Sequence, residues 1–282
     1  MAFDIYTAVT DRIVAQLEQG VIPWHKPWTG IQSGAISGST GKPYSLLNQM
    51  LLGKPGEYYT FQQIQRLGGN VRKGEKSSIV VFWKQQPVKE TNPNTGETTE
   101  KVIPILKYFN VFHVSQCNGI EPKVIELEAY APATDNTAES IIARYLERSG
   151  VKLEHIAGDE AYYRPGTDSV VLPLREQFPQ MAEYYSTAFH ELTHSTGHSS
   201  RLNRLKATVH FGNEEYSKEE LVAEIGAAAL LNHCGIETGA SLRNSAAYIQ
   251  SWLNALRNDK RMIVSASGAA AKAFDLITGV TA

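Results

Sequence analysis

Phe189-His190-Glu191-Leu192-Thr193-His194-Ser195-Thr196-Gly197-His198 is the stretch from which the reading of this chain proceeds. A His-Glu-x-x-His sequence in a helix sets His190 and His194 four residues apart. They then share one face, where two imidazoles can ligate a single metal ion. Glu191 stands beside them, placed to take a proton from a metal-activated water. Tyr184, Tyr185, Ala188, Phe189 and Leu192 give the helix a buried side, and Gly197 supplies a C-terminal stop signal.

Two histidines need a third protein ligand, which leaves one position open for water, as in a catalytic zinc site. Downstream the sequence offers His198, His210, Glu220 and Glu224. His198 joins the same face only if the helix runs through Gly197, and the spacing that would place a ligand at position 200 meets Ser200. His210 is reached only through an irregular loop. Ser217-Lys218-Glu219-Glu220-Leu221-Val222-Ala223-Glu224 opens a second helix, and between Leu221 and Leu231 the only charged residue is Glu224. A carboxylate embedded in that much apolar surface needs a cation, a metal or a hydrogen-bond donor. Glu220 lies four residues earlier on the same face. The economical assignment makes Glu220 the third ligand and gives Glu224 a hydrogen bond from a ligand imidazole. Glu224, His198 and His210 remain the alternative ligands, and Ser217-x-x-Glu220 also fits a capping box. Tyr216, just ahead of this helix, is a candidate donor to a developing oxyanion, or a packed aromatic at a helix entrance. Zinc or another divalent metal is the expected cofactor.

The chain has 282 residues, 42% hydrophobic and 20% charged, which is ordinary globular composition and enough for two domains with cores of their own. Cys117 and Cys234 are the only cysteines, so a disulfide framework or a four-cysteine metal site is excluded. The start lacks a basic-then-apolar signal and no apolar run approaches membrane-spanning length, so the expectation is a cytoplasmic protein without a membrane partner. Net charge is −2, which does not by itself call for nucleic acid. The distribution says more, because Arg66, Arg72, Lys73, Lys76, Lys84 and Lys89 share their window with one acid, Glu75.

In the first half, Ile5, Val9, Ile13 and Leu17 recur every four residues after Asp4, which predicts a helix over 4–19. Pro23-Trp24-His25-Lys26-Pro27-Trp28 sets two tryptophans and two cations in a proline-fixed stretch, either a stacking platform for bases or a fold-back onto the first helix. A short helix is expected from Ser45 to Leu52 and another after the capping box Thr60-Phe61-Gln62-Gln63. Ser78–Trp83 and Val102–Val114 read as strands, with Lys84–Lys101 as a long polar connection. A small sheet with aromatics and basic loops binds single-stranded nucleic acid by stacking and charge, and a packed aromatic core beside a solvated turn is the plain alternative.

In the second half, 127–137 looks like a linker, Ser140–Ser149 a helix, and Ala161–Tyr163 and Ser169–Leu172 two strands around a turn. Residues 169–172 are the candidate edge for an extended peptide substrate. Ser245–Asp259 and Ala269–Thr278 read as packing helices.

Taken in order, several motifs resemble the ArdC-type antirestriction proteins of conjugative plasmids and related polyvalent proteins. They are Asp4-Ile5-Tyr6 with Thr10-Asp11-Arg12-Ile13, Gly20–Trp24 with Lys26-Pro27-Trp28, Gly41-Lys42-Pro43-Tyr44, Thr60–Gln63, Gly68–Lys76, Asn110–Gln116, Phe189–His194, Thr196-Gly197-His198, Tyr216 and Glu219–Glu224. The resemblance implies an α+β protein of two domains. Residues 1–127 would form a small-sheet domain binding single-stranded DNA, 128–137 a linker, and 138–282 a zincin-like metallopeptidase domain related to the Spartan and SprT group. It also implies protection of incoming DNA from host restriction, with a DNA-bound protein as a possible peptide substrate. The DNA-binding residues expected on this reading are Trp24, Lys26, Trp28, Tyr44, Arg72, Lys73, Lys76, Lys84, Tyr108 and His113. His113 stands where Asn is expected in this family, and Leu46 where Gly is commoner. In Spartan-like peptidases the third ligand is a histidine, so Glu220 follows the glutamate-ligand zincins instead.

Overall fold

The computed structural model describes residues 3–25, 34–91, 98–122, 135–205, 214–236 and 242–280. Lys26, Trp28, His210 and linker residues 128–134 lie outside them. The chain begins with α1 (Ile5–Glu18), whose first turn is capped by the Asp4 carboxylate accepting from the Tyr6 amide at 3.1 Å. Its apolar stripe buries Val9, Ile13, Val14 and Leu17. There follow β1 (Ala35–Ser37), α2 (Leu46–Leu52), β2 (Gly56–Thr60), α3 (Phe61–Arg66), β3 (Asn70–Val71), β4 (Ser78–Thr91), β5 (Thr98–His113) and β6 (Cys117–Asn118). The Thr60/Gln63 capping box starts α3 as the spacing predicts.

Strands β1, β2, β5 and β4 form one sheet in that order, with β1 parallel to β2 and the rest antiparallel. The expected polar connection over Lys84–Lys101 is largely strand instead. Pairing continues from Ser78↔Val111 to Thr91↔Thr98, so β4 and β5 run on together as a two-stranded ribbon. Polar residues suit such a ribbon because both of its faces meet water.

The second half comprises α4 (Asp135–Ser149), β7 (Lys152–Ile156), β8 (Tyr162–Arg164), β9 (Ser169–Pro173), α5 (Met181–Ser195), α6 (Glu214–His233), α7 (Leu242–Asn258) and α8 (Met262–Thr278). Residues 135–137, assigned to the linker from composition, begin α4. Strand β9 lies between β7, to which it is parallel, and β8, to which it is antiparallel. That corrects the expectation of a free edge at 169–172, since Ser169–Val171 are paired on both sides, Leu172 is paired to β7, and all five residues are buried. An apolar run buried on both faces is the mark of a central strand.

Two large cores organise the molecule. One, around Tyr145, Leu172, Tyr184, Phe189 and Leu230, joins α4, the second sheet, α5 and α6. The other is shared between the two halves of the sequence. Val9, Ile13, Leu17 and Trp24 pack in one cluster with Leu221, Val222, Trp252, Leu256 and Ile263. No helix among the described residues is long and apolar enough to cross a membrane.

Candidate metal centre

Helices α5 and α6 pack against each other in the second half, and Gly226 lets them approach closely. A Cβ at Gly226 would sit 2.7 Å from the Thr193 Cγ2, inside van der Waals contact. Thr193 turns its hydroxyl back to the Phe189 carbonyl at 2.7 Å, so its polar atom is satisfied within α5. At this separation the side chains of His190 and His194 meet those of Glu219, Glu220 and Glu224.

The Nε2 atoms of His190 and His194 lie 3.1 Å apart. The Glu220 carboxylate faces both, with Oε2 3.5 Å from His190 Nε2 and Oε1 3.4 Å from His194 Nε2. Donor atoms each about 2.05 Å from one tetrahedral centre are about 3.3 Å from one another, so the two imidazole nitrogens have the spacing of neighbouring zinc ligands, and each has one Glu220 oxygen at a comparable distance. These three are the group of His, Cys, Asp and Glu residues among those described whose donor atoms converge as a metal ion requires. The donor set therefore fits a divalent metal. On the far side of each ring, His190 Nδ1 faces Glu224 at 3.6 Å and His194 Nδ1 faces Glu219 at 3.4 Å. A carboxylate behind each ligand imidazole favours the tautomer that leaves Nε2 free for a metal.

The electrostatics follow from this crowding. Burial alone would lower both histidine pKa values, but the carboxylates outweigh it. His190 is raised chiefly by Glu220, and His194 is pushed up to about 10 by Glu219 and Glu220. Burial works against ionised Glu220 and Glu219 as well, yet hydrogen bonds from the imidazoles, and from Arg204 in the case of Glu219, hold both below the usual carboxylate range.

The structure thus brings together His190, His194 and Glu220, with Glu224 3.6 Å behind His190 and Glu191 on the same helix and 8% exposed. It also adds residues that sequence reasoning missed. Glu219 is 7% exposed and carries a two-pronged bond from Arg204, through Nη2 at 2.8 Å and Nε at 3.1 Å. Glu219 stands beside Glu220, but the four-residue spacing to Glu224 singles out Glu220 and nothing in the sequence marks its neighbour. His198 leaves the ligand face, because α5 ends at Ser195, and its Nδ1 contacts the Ser200 hydroxyl at 2.7 Å. Tyr216 lies within the first turn of α6 rather than ahead of it, half-buried.

The first-half candidates divide. Trp24 is 3% exposed and meets Trp252 edge-on at 5.1 Å, so it belongs to the shared core and not to a stacking surface. His113 is 8% exposed; its ring accepts the Ser115 amide at 3.1 Å and contacts the Pro55 carbonyl at 3.0 Å, which makes it a local cap. Tyr44 is half-buried against Tyr58. Arg72 is exposed and paired with Glu75 at 2.8 Å, while Lys73, Lys76, Lys84 and Tyr108 are exposed. Strand register then sorts the ribbon, because side chains alternate between faces. Phe82, Lys84, Lys101, Lys107 and Phe109 fall on one face, and Trp83, Tyr108, Lys89 and Glu100 on the other. Phe82 and Phe109 stack, with centroids 5.0 Å apart and planes 10° from parallel. Tyr108, across the ribbon, rests on Phe3 at 4.8 Å.

Residues 3–112 match the family described as the N-terminal domain of anti-restriction factor ArdC, and residues 139–269 the zincin-like metallopeptidase family. Among solved structures, the chain is similar to the antirestriction ArdC protein from the R388 plasmid. The metal-free form is 37% identical with a TM-score of 0.75, covering 98% of this chain and 97% of that one. The Mn(II)-bound form is 34% identical with a TM-score of 0.77, covering 98% of each. Over 96% of its length the chain is also 35% identical to a DNA primase TraC of Escherichia coli, but it spans only 20% of that protein's length. It is 30% identical to the uncharacterized protein y4eC of Sinorhizobium fredii (strain NBRC 101917 / NGR234), covering 91% of that protein.

Proposed function

Because this chain belongs to the ArdC antirestriction family, we propose that it protects incoming DNA from host restriction by binding it single-stranded, and that its second half carries a zinc site equipped for peptide hydrolysis. The observation that carries the hydrolytic reading is the convergence of His190 Nε2, His194 Nε2 and the Glu220 carboxylate, whose two oxygens face one imidazole nitrogen each at 3.5 and 3.4 Å. When bound there, a divalent ion supplies Lewis acidity and lowers the pKa of water. The chain's own groups do the rest. Glu191 takes the proton released by the attacking water and returns it to the leaving amine. Tyr216 is assigned the hydrogen bond to the developing oxyanion. The substrate on this reading is a protein bound to the same DNA, and the place of action is the cytoplasm.

The DNA face is the exposed ribbon of β4 and β5 with the basic turn before it. Phe82 and Phe109 offer a stacked aromatic surface, and Lys84 and Lys107 flank it on the same face. Lys73 and Lys76, exposed in the turn that leads into β4, add positive charge, as does Arg72 beside its partner Glu75. Affinity from phosphate contacts and stacking is salt-sensitive and nearly indifferent to sequence.

The test is transfer of unmodified plasmid into a restricting host, with the full chain, Glu191→Gln, and the combined Lys73→Glu and Lys76→Glu variant. Charge reversal should lose protection, and full protection by that variant would contradict the DNA reading. Lost protection in Glu191→Gln with intact DNA binding would assign the protective act to hydrolysis. Retained protection would assign it to coating of the strand.

A further inference from the structure

The loop after α5 does something the metal ligands do not explain. It folds back on the helix end, with Leu202 donating its amide to the Thr196 carbonyl at 3.0 Å and Arg204 and Leu205 both donating to the Gly197 carbonyl at 2.9 Å. Gly197 is what admits this return. A Cβ there would lie 2.9 Å from Leu205 Cγ and 3.2 Å from Arg204 Nη2. The result delivers the Arg204 guanidinium into the angle between α5 and α6, with its side chain 14% exposed. On the α5 side it donates to the Thr193 carbonyl at 3.0 Å and the Thr196 hydroxyl at 2.8 Å. On the α6 side it donates to both oxygens of Glu219. Glu219 in turn stands 3.4 Å from His194 Nδ1.

We propose that Arg204 and Glu219 are a positioning pair that fixes His194 for the metal, with Thr196-Gly197 shaped to let Arg204 reach it. The inference rests on the metal-site reading above. A planar fork bonded to both carboxylate oxygens leaves Glu219 one orientation. That orientation fixes the imidazole ring and its Nδ1–H tautomer, so Nε2 presents its lone pair to the ion. The same guanidinium ties the end of one ligand-bearing helix to the start of the other. Residues of this outer kind commonly set affinity, with losses of about tenfold to a hundredfold when they are removed.

The experiment uses the full chain and measures zinc affinity by chelator competition and the absorption spectrum of the cobalt(II)-loaded protein. The proteins are wild type, Glu219→Gln, Arg204→Lys and the double variant. Glu219→Gln should weaken zinc binding by about tenfold to a hundredfold and alter the cobalt bands. Arg204→Lys should weaken binding on its own and add little in the Glu219→Gln background, because it acts through Glu219. Wild-type affinity and spectrum in both single variants would overturn the pairing. So would an equal loss from Arg204→Lys in both backgrounds, which is the signature of a merely structural role for the loop. Failure of the wild type itself to take up zinc or cobalt would instead sink the site reading, and this inference with it.

Discussion

His190 and His194 point their Nε2 atoms at each other from 3.1 Å while their Nδ1 atoms face separate carboxylates, Glu224 and Glu219. Two acceptor nitrogens cannot sit so close without something electron-poor between them, either a proton or a metal ion.

Those two occupants compete, which fixes a pH dependence. His194 is pushed up to about 10 by Glu219 and Glu220 against the effect of its burial, so the metal-free cluster holds a proton there at neutral pH, and His190 is shifted in the same direction. A ligand imidazole must be neutral at Nε2, so metal uptake expels protons and tightens as pH rises. Apparent affinity should climb by about tenfold per pH unit for each proton released. Calorimetry of metal binding in buffers of different ionisation enthalpy checks this.

The approach of α5 to α6 depends on Gly226. Gly226→Val would drive a side chain into Thr193, which already lies within 2.7 Å of a single added carbon. Overpacking of this kind costs about 1–3 kcal/mol. The distinguishing expectation is that metal affinity falls with stability, since the displaced helices carry different ligands. Thermal denaturation with and without added zinc measures both.

The shared core predicts cooperative unfolding of the two halves. Trp252→Ala removes the partner of Trp24, and truncating a buried tryptophan costs about 3–5 kcal/mol. The melt should shift as one transition, with probes in the first and second halves moving together. Two separate transitions would show that the halves fold independently.

On the ribbon, face decides effect. Phe82→Ala and Phe109→Ala should each weaken binding to a single-stranded oligonucleotide by about 1–3 kcal/mol. Lys84→Ala with Lys107→Ala should flatten the salt dependence by about 0.7 in log–log slope for each phosphate no longer neutralised. Trp83→Ala and Tyr108→Ala, on the opposite face, should matter less. Fluorescence anisotropy at several salt concentrations separates these outcomes.

The candidate metal-site residues are legible because helical period is written in the sequence. His190 and His194, then Glu220 and Glu224, recur every four residues, and a lone acid in an apolar helix demands a partner. Glu219 and Arg204 were not legible, since their meeting depends on a loop return at Gly197 that no period announces. For Trp24 the sequence leaves a stacking platform and a fold-back both open, and His113 reads as DNA-facing, because the groups that cover them, Trp252 and the Pro55 carbonyl, are distant in sequence. The ribbon hid for a different reason. A two-stranded arm wet on both faces has no polar–apolar alternation to read, so Lys84–Lys101 looked like loop. The fold class and the helices around the site were within reach, whereas the central place of β9 was misjudged although its unbroken apolar run was the clue.

The most direct test is metal content and affinity of the purified full chain against Glu220→Ala and Glu224→Ala. We expect one tightly held divalent ion in the wild type, loss of it in Glu220→Ala, and retention at about tenfold to a hundredfold lower affinity in Glu224→Ala. An ion held by Glu220→Ala as tightly as by the wild type would contradict the assignment of the third ligand and the peptidase site built on it.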